Sequence, residues 1–574
     1  MELSYTTLNI LALSKVILFF YGALMLLFVY KNKKPIWYLS LTGLSITLFY
    51  IFLSWPLQRM WGGNIGDELF ISAFLGKVLF DGPAHDFYYG WLPNFYPPLY
   101  FWVTGLLSRP LANNAIVAAK IGLAGTLLLW FFGTYYWQKL FWHKISSSKK
   151  NQNNIVESNW FWFLFPVVYL AALDFDSIIF KPYEAISALF GVLLMAIVAR
   201  ASYEKKWTKY HYLFIGLSGG LLFLVYYFWW VIFIPTLLAL IFLNKTQKFL
   251  NFKRFIYSGL IILAISSVFI GPLIYSYIKY GIENAQAIHF VYGDFFSFMP
   301  WQEISIRSLI YIFGLLSLFI FSRKSFIKSS LLILVFSYLY QFINILAFLF
   351  GAKPMQASKH LYFLATAAIA LAFSYLAIYV YKKYIQNLKI EYRRGILFLL
   401  VLLLLTRLPF VNFIDNQDRL YQIEKDLQKP QSVVQLAQAI KTQIPDYKQR
   451  LWLSTGSMDL PAYLPLSYYI ANSIHFSHHA SLYSQRIAEV KAMAQAKNPE
   501  EFLSIIDKGQ PWPIDSLLLG DDNQNDYYTF YFWNDNFPNG GKEAQIHLPK
   551  NLIVDKYWDK VYNADNWLIF LRKK

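Results

Sequence analysis

The chain contains no cysteine, so disulfide bonds, thiolate metal sites and a cysteine nucleophile are excluded. Charge is also scarce, because charged residues make up only 15% of the 574 residues, against about 25% in soluble domains. Acidic residues are fewer than basic residues, with 33 Asp and Glu against 51 Lys and Arg. Hydrophobic residues reach 57%. This composition excludes an ordinary soluble globular protein and indicates a polytopic α-helical membrane protein.

The basic surplus gives a formal net charge of +18. In a soluble protein such a surplus would suggest nucleic-acid binding. Here the Lys and Arg residues gather in short loops between apolar runs, as cytoplasmic loops require. We therefore predict the lipid bilayer as a partner and no nucleic acid. The first residues, MELSYTTLNILALSK, lack a basic start and a small-residue cleavage site, so we expect no cleaved signal peptide.

Hydrophobic segments long enough to cross a bilayer predict about 12 transmembrane helices. They lie near residues 9–30, 37–57, 114–137, 160–173, 183–200, 211–226, 228–243, 255–278, 305–322, 329–350, 360–381 and 395–411. The sixth and seventh segments form a tight pair. The small residues Gly216, Ser218, Gly219 and Gly220 predict close helix packing there.

Every second loop is basic, and this alternation predicts the orientation of the chain. The basic residues follow the odd-numbered segments: Lys31, Lys33 and Lys34; Lys139, Lys144, Lys149 and Lys150; Lys205, Lys206 and Lys209; Lys245, Lys248, Lys253 and Arg254; Arg323, Lys324 and Lys328; Lys382, Lys383, Lys389, Arg393 and Arg394. We expect these loops in the cytoplasm. The N-terminus and the C-terminal domain then lie outside a plasma or inner membrane that the chain crosses many times.

The chain divides into two predicted domains. Residues 1–411 form the transmembrane domain, with an outer loop at 58–113, and residues 412–574 form a soluble extracytoplasmic domain. In this tail, helical stretches such as QDRLYQIEKDLQKPQSVVQLAQAIKTQI and PEEFLSIID alternate with strand-like runs. The strand-like runs are RLWLST, IDSLLLG, YYTFYFW, AQIHLP and NWLIFLRK. We therefore predict a C-terminal α/β domain.

The first outer loop carries two adjacent carboxylates, Asp67 and Glu68. Neighbouring residues on a helix point in different directions, so only one can readily face a given cavity. A carboxylate at the water–lipid boundary suits a general base that deprotonates an attacking hydroxyl. Alternatively, Asp67 caps the helix LFISAFLGKVLF, which we predict to lie in the membrane interface. Tyr96, in a Tyr-Pro-Pro turn, belongs either to the aromatic belt of the membrane interface or to a wall that stacks a sugar or guides a lipid, which makes it a candidate cavity residue.

Cations at the other outer loops could bind a phosphate group. Lys359 and His360 lie at the outer end of the eleventh segment, and Lys181 lies in the second outer loop. A lysine at such a position can also serve as an anchor that reaches to the membrane surface. Both roles stay open for these residues.

Further candidates for the cavity are acidic and histidine residues of the outer loops. Asp174 and Asp176 form an Asp-X-Asp pair, which leaves open a divalent cation such as Mg²⁺ or Mn²⁺ or simply a solvated loop. His289 and Asp294 lie in a long outer loop that could act as a gate.

The tail holds histidines and tryptophans of uncertain role. His475, His478 and His479 lack a partner pattern of zinc ligands, so we predict no bound metal there. Three tryptophans could stack on sugars, although core packing is the commoner role: Trp512, Trp533 and Trp567.

The acidic residue of the first outer loop, the helix after it and the Tyr-Pro-Pro segment together resemble the integral-membrane (type C, GT-C) glycosyltransferase superfamily. The Gly-rich span pair at 216–243 is similar as well. The tail segments HFSHHASLYSQRIAEVKAMAQAKNPEEFLSIID, PWPIDSLLLGDD, YYTFYFWNDNFPN and QIHLPKNLIVDKYWDKVYNADNWLIFLRK are similar to the C-terminal domain of galactan arabinofuranosyltransferases. Those cell-wall enzymes prime arabinan on galactan.

The resemblance implies a GT-C fold and a transfer reaction outside the cytoplasm. A sugar, arabinofuranose by the nearest resemblance, passes from a polyprenyl-phosphate donor to a cell-envelope glycan acceptor. Asp67 is then the catalytic residue, with Glu68 beside it, and we expect a monomer. Two alternatives stay open. One is another sugar or acceptor, such as aminoarabinose to lipid A or a hexose to protein or lipid, and the other is a membrane transporter or flippase.

Overall fold

The computed structural model describes residues 3–60, 65–137, 156, 158–173, 175–204, 207–244, 247–283, 305–405, 417–428, 432–456, 459–521, 524–537 and 541–573. The helices before the tail are α1 Tyr5–Tyr30, α2 Pro35–Ser54, α3 Ile65–Phe80, α4 Leu99–Ser108, α5 Ala115–Trp137, α6 Asn159–Ala172, α7 Phe175–Phe180, α8 Pro182–Ala201, α9 Lys209–Val225, α10 Trp230–Leu243, α11 Lys248–Tyr280, α12 Ile306–Ile320, α13 Ser325–Leu349, α14 Leu361–Ile385 and α15 Ile390–Leu405.

The helices have the length and surface of membrane spans. Among the described residues, seven are long and apolar enough to cross a membrane, and α9 and α10 form a further pair bent by 118°. Large apolar side chains stay on the outside of the bundle, such as Ile278 at 80% and Phe319 at 82% exposed. Such a surface is stable only in an apolar solvent. A helix lies at each of the twelve predicted segments, so the polytopic helical fold is confirmed.

Helices α9 and α10 form a hairpin whose two ends lie together. The indole of Trp207 donates to the carbonyl of Ala201 over 2.8 Å, and the amide of Asn244 donates to the carbonyl of Ser202 over 2.8 Å. Both contacts are at the end of α8. The tip of the hairpin, at Tyr226, therefore lies at the opposite end of the helical bundle.

The small residues of α9 let a neighbouring helix approach closely. A Cβ at Gly216, Gly219 or Gly220 would come closer than 3.0 Å to isoleucine side chains of α11. Glycine therefore gives the two helices room to pack along this line. The predicted close packing is confirmed, although the partner is α11 and not α10.

The N-terminus of the chain and the tail lie at the same end of the bundle. Glu424, in the tail, accepts hydrogen bonds from the backbone N–H of Ser4 and from the hydroxyl of Thr7. Farther along, Glu283 accepts from the backbone N–H of Ser484 in the tail. We call this end of the bundle the tail side.

Basic residues cluster at the opposite end. Arg394 donates to the carbonyl of Tyr30, and Arg254 donates to the carbonyl of Glu204. Arg254 and Arg394 thus lie at the end of the bundle away from the tail, as the alternating charge pattern predicts. That the tail side faces the outside of the cell stays a prediction from that pattern.

The tail is an α/β domain. Its elements are α16 Gln417–Leu427, α17 Ser432–Gln443, β1 Leu451–Ser454, β2 Ser467–Tyr468, α18 Tyr483–Ala494, α19 Pro499–Asp507, β3 Ser516–Gly520, β4 Tyr527–Asp535, β5 Gly541–Pro549, β6 Trp558–Ala564 and β7 Trp567–Arg572. One sheet has the order β2-β1-β3-β7-β6, and β4 and β5 pair as a separate antiparallel hairpin. All five predicted strands are present, so the predicted α/β domain is confirmed.

Helix α3 is present where the sequence predicts it, but its apolar side chains are not exposed to lipid. Its apolar residues from Leu69 to Val78 are buried, and so is Lys77. A Cβ at Gly76 would overlap the backbone carbonyl of Pro461, so the tail packs directly against this helix. The expectation of a lipid-facing amphipathic helix is wrong because α4, the first outer loop and the tail together cover the apolar side chains that were assigned to lipid.

Candidate active site

Four charged side chains converge on the tail side of the bundle. Asp67 lies in the first turn of α3, and Glu184 lies in the first turn of α8. Lys181 directly precedes α8, where Pro182 starts the helix, and Lys359 lies two residues before the start of α14 at Leu361. We call these residues the four-charge cluster. Both carboxylates lie at helix N-termini, where the helix dipole favours negative charge.

The four-charge cluster consists of two ion pairs. We call the solvent-accessible pair the open ion pair and the buried pair the closed ion pair. Lys181 Nζ lies 3.3 Å from Asp67 Oδ2, and these side chains are 30% and 35% exposed. Lys359 Nζ lies 2.8 Å from Glu184 Oε1, and these are 17% and 1% exposed. A ligand can therefore reach the first pair directly, while the second pair lies behind it.

The two ammonium groups are close enough to affect each other. Burial lowers the pKa of Lys359, the carboxylate of Glu184 opposes that shift, and the charge of Lys181 adds to it. Burial alone would lower the pKa of Lys181. The carboxylates of Asp67 and Glu184 outweigh the effect of burial, so the pKa of Lys181 is raised. Two cations thus lie side by side, each supported by a carboxylate. An anion that bridges both would relieve their repulsion.

Aromatic rings line the cluster. The hydroxyl of Tyr96 donates to that of Tyr183 over 3.4 Å, and the ring of Tyr96 packs against Tyr226 with centroids 6.2 Å apart. Lys359 Nζ lies 5.8 Å from the centre of the Tyr226 ring, a cation–π distance. Tyr226 is the tip of the α9–α10 hairpin. The hairpin therefore contributes a wall of the site.

The tail closes the site from outside the bundle. Burial lowers the pKa of His475, and the carboxylates of Asp67 and Asp535 oppose that shift, which shows that this tail histidine lies near both. Asp535 also forms an ion pair with Lys353 over 2.7 Å. The carboxylates of Asp67 and Asp535 thus both act on the charge of His475, although the three residues lie far apart in sequence.

A buried turn in the first outer loop holds the tail in place. Asp86 Oδ1 accepts hydrogen bonds from the backbone N–H groups of Tyr88 and Tyr89, over 3.0 and 2.9 Å. The carbonyl of Tyr88 then accepts from the N–H of Tyr468, and the Tyr89 hydroxyl accepts from the N–H of Ala471. Burial raises the pKa of Asp86 to about 7, and the backbone hydrogen bonds and Lys77 only partly oppose it.

This turn predicts a pH-dependent stability. The pKa of Asp86 in the folded protein, about 7, is above the value of about 3.9 in an unfolded chain. The folded state therefore binds more protons between these values, and its stability falls as pH rises through this window. Asp86→Asn keeps the turn without the charge. We expect its melting temperature in detergent to exceed that of the wild type at pH 8 and to match it near pH 4.

A matched variant separates charge from turn geometry. Asp86→Ala loses the acceptor for both N–H groups, so its melting temperature should fall at both pH values. If Asp86→Asn were instead less stable than the wild type at pH 8, the buried carboxylate would not be the source of the pH dependence.

Several predicted residues lie apart from the cluster. Glu68 is 3% exposed and lies within electrostatic reach of Lys120, on the side of α3 away from Lys181. The ring of His360 is fully buried, its Nε2 bonds the carbonyl of Phe228, and it stacks on that residue's ring at 4.5 Å. Asp176 lies in the first turn of α7. Of these three residues, His360 packs against the tip of the α9–α10 hairpin and Glu68 lies toward Lys120.

Three predicted cavity residues, Asp174, His289 and Asp294, lie outside the described residues. Within the described part of the chain, no group of three His, Asp or Glu side chains could hold a metal ion. The tail histidines instead make local contacts. His478 Nδ1 accepts from the N–H of Ala480, and His479 Nδ1 bonds the carbonyl of Glu283.

Sequence reasoning assigned no role to Glu184, Tyr226 or His475 in this site. For Glu184 a signal exists, because a carboxylate two residues after a helix-starting proline is placed at a helix N-terminus. For Tyr226 the sequence signal is its position at the junction of two apolar segments. His475 reaches Asp67 only through the docking of the tail, which no local pattern encodes.

An apolar cavity lies inside the bundle beside the hairpin. Its volume is about 310 Å³, and helices α8, α9, α10 and α11 line it. Phe223 and Trp230 of its lining flank the hairpin tip at Tyr226. On α8 the lining starts at Leu194, ten residues after Glu184, so the cavity lies farther along the bundle than the four-charge cluster.

No protein-family model and no curated protein sequence matches this chain. Among solved structures, it is similar to ArnT from Cupriavidus metallidurans bound to undecaprenyl phosphate, at 13% identity and a TM-score of 0.45 over 89% of this chain and 98% of that one. It is also similar to the oligosaccharyltransferase from Archaeoglobus fulgidus tethered with an acceptor peptide, at 11% identity and a TM-score of 0.44 over 90% of this chain and 75% of that one. Likeness at this level establishes neither a shared family nor a shared activity.

Proposed function

We propose that this chain is a membrane glycosyltransferase that takes a sugar from a polyprenyl-phosphate donor. The observation that carries the proposal is the four-charge cluster, in which an accessible carboxylate, Asp67, lies next to two adjacent ammonium groups, Lys181 and Lys359. A carboxylate suits the acceptor hydroxyl, and paired cations suit the donor phosphate. The resemblance of the first loop to GT-C enzymes points to the same chemistry.

The proposed reaction is a single displacement at the anomeric carbon. Asp67 accepts the proton of the acceptor hydroxyl while that oxygen bonds to the anomeric carbon. The bond from this carbon to the phosphate oxygen breaks, and its electron pair leaves with the polyprenyl phosphate. Attack on the face opposite the leaving group inverts the anomeric configuration.

The two lysines act on the charge that develops during the reaction. The donor phosphate is a diester with one negative charge, and the leaving group is a monoester with a second charge forming. Lys181 and Lys359 stabilise this added charge more strongly than the charge of the donor, which is the requirement for catalysis. Glu184 keeps Lys359 charged and in place.

We assign the apolar cavity to the lipid part of the donor. Its walls are apolar side chains of α8 to α11, and two of them, Phe223 and Trp230, lie three and four residues in sequence from Tyr226, whose ring contacts Lys359. A polyprenyl chain in this cavity would leave its phosphate at the two lysines. The lipid would enter from the bilayer between helices.

At the finer level we propose arabinofuranose as the sugar and a cell-envelope glycan as the acceptor, on the outer face of the membrane. The resemblance of the tail to galactan arabinofuranosyltransferases supports this choice. Aminoarabinose to lipid A and a hexose to protein or lipid are the other members of the same class.

The proposal is tested with the purified protein in lipid nanodiscs and a panel of undecaprenyl-phosphate sugars that differ in the sugar. We expect one labelled sugar to pass to an added glycan with release of undecaprenyl phosphate, the lipid bound to ArnT. An inverted anomeric configuration, read by NMR, would support direct displacement. Movement of the intact donor across a vesicle membrane without release of lipid phosphate would favour the flippase alternative and contradict the proposal.

A further inference from the structure

The β4–β5 hairpin of the tail presents aromatic rings to solvent. On β4 the side chains alternate, so that Tyr528, Phe530 and Phe532 point into the core. Tyr531 and Trp533 point outward and are 48% and 42% exposed. The two rings therefore lie on one face of the strand, about 7 Å apart along it.

Polar groups of β5 lie opposite these rings. Gln545 pairs with Tyr531 in the hairpin register, and Glu543 pairs with Trp533. The amide of Gln545 donates to the carboxylate of Glu543 over 3.2 Å, which orders both side chains. We call Tyr531, Trp533, Glu543 and Gln545 the aromatic strip.

The strip is held in a fixed shape. A Cβ at Gly541 would overlap the Trp533 indole, so the ring packs directly over the glycine backbone of the neighbouring strand. The backbone N–H of Trp533 donates to the carbonyl of Asn472, and the Asn472 amide donates to the carbonyl of Tyr531. A rigid ring loses little conformational freedom when it binds a ligand.

The end of the strip leads toward the four-charge cluster. Two residues beyond Trp533, Asp535 pairs with Lys353 of the bundle over 2.7 Å. Asp535 and Asp67 both act on the charge of His475, which lies three residues after Asn472. The hairpin that carries the strip is therefore anchored to the bundle by the Asp535–Lys353 ion pair.

From this arrangement we infer that the aromatic strip binds the sugar chain of the acceptor and feeds its end to Asp67. The inference rests on the proposed function. A sugar ring has an apolar C–H face, which stacks on an aromatic ring, and hydroxyls around its edge, which bond to amides and carboxylates. Alternating rings and polar groups match that chemistry. The carboxylate of Glu543 disfavours an anionic partner such as nucleic acid.

The test measures glycan binding separately from transfer. Short arabino-oligosaccharides and galacto-oligosaccharides are titrated calorimetrically into the intact protein in nanodiscs, without donor. We expect Tyr531→Ala and Trp533→Ala each to weaken binding by tenfold or more, and Trp533→Phe to keep most of it. Trp512→Ala is the matched control, because Trp512 is a tail tryptophan of similar exposure, 37%, in the loop between α19 and β3. It should bind as the wild type does.

The outcomes separate this inference from the proposed function. In transfer assays the strip variants should raise the KM for acceptor and leave the KM for donor unchanged. If oligosaccharides bind through the strip but no transfer is found, the strip stands and the proposed function falls. Absence of binding by the wild type, or equal losses in the Trp512 and Trp533 variants, would overturn the inference. So would quenching of Trp533 by brominated lipids, because the strip would then be a membrane anchor.

Discussion

Asp67→Asn is expected to lower the rate of sugar transfer by about 10³-fold, because general-base catalysis typically contributes 10²–10⁴. The amide keeps the shape of the side chain but cannot accept the proton of the attacking hydroxyl. Lys181 then loses one of its two carboxylates and keeps Glu184. We therefore expect binding of undecaprenyl phosphate to stay equal or to become tighter. Rates come from single-turnover transfer of labelled sugar, and binding from titration in nanodiscs.

Two further variants make this result specific. Asp559→Asn removes a carboxylate that is 61% exposed on β6 of the tail, and it should transfer sugar at the wild-type rate. Glu68→Gln removes the neighbouring carboxylate, which faces away from Lys181. A wild-type rate in Asp67→Asn together with a large loss in Glu68→Gln would move the role of base to Glu68.

The second large effect concerns the closed ion pair. Glu184→Gln or Lys359→Met alone leaves the partner charge buried, at 1% exposed for Glu184 and 17% for Lys359. Breaking a buried pair in this way costs about 3–5 kcal/mol. The double variant Glu184→Gln/Lys359→Met removes both charges and should recover most of the melting temperature. It should not recover donor binding, because the phosphate has lost one of its two ammonium groups.

Recovery of the melting temperature without recovery of donor binding in the double variant would show that Lys359 has a role toward the donor phosphate. If the double variant recovered both, Lys359 would only neutralise Glu184 and would have no role toward phosphate. The pair Lys556 and Glu500, which is 70% and 62% exposed in the tail, serves as the control. Its single variants should change neither the melting temperature nor donor binding, because exposed pairs contribute little.

Local sequence patterns predicted the elements well where one physical signal dominates. Apolar length predicted the spans, and residue alternation predicted strands such as β4, whose inward and outward side chains differ clearly. Strand β6 was not foreseen because it lies at a sheet edge and its residues Asp559 and Lys560 are exposed. Such a strand is defined by its pairing with β7 and has little burial pattern of its own.

The site was only partly predictable, for a different physical reason. Asp67, Lys181 and Lys359 stand out as charges beside apolar runs, which is a local property. Their pairing and the approach of His475 depend on how distant segments pack. The same limit explains α3, where the sequence shows apolar residues but cannot tell whether lipid or the tail covers them.

The hydrogen bonds of Glu424 to Ser4 and Thr7 have a consequence for biogenesis. They join α1 to the tail across 420 positions of the chain. The start of α1 therefore lacks these two hydrogen bonds until Glu424 has been synthesised. Docking of the tail becomes the step that fixes the start of α1, so products that end before the tail should leave this part of α1 open to quality-control proteases.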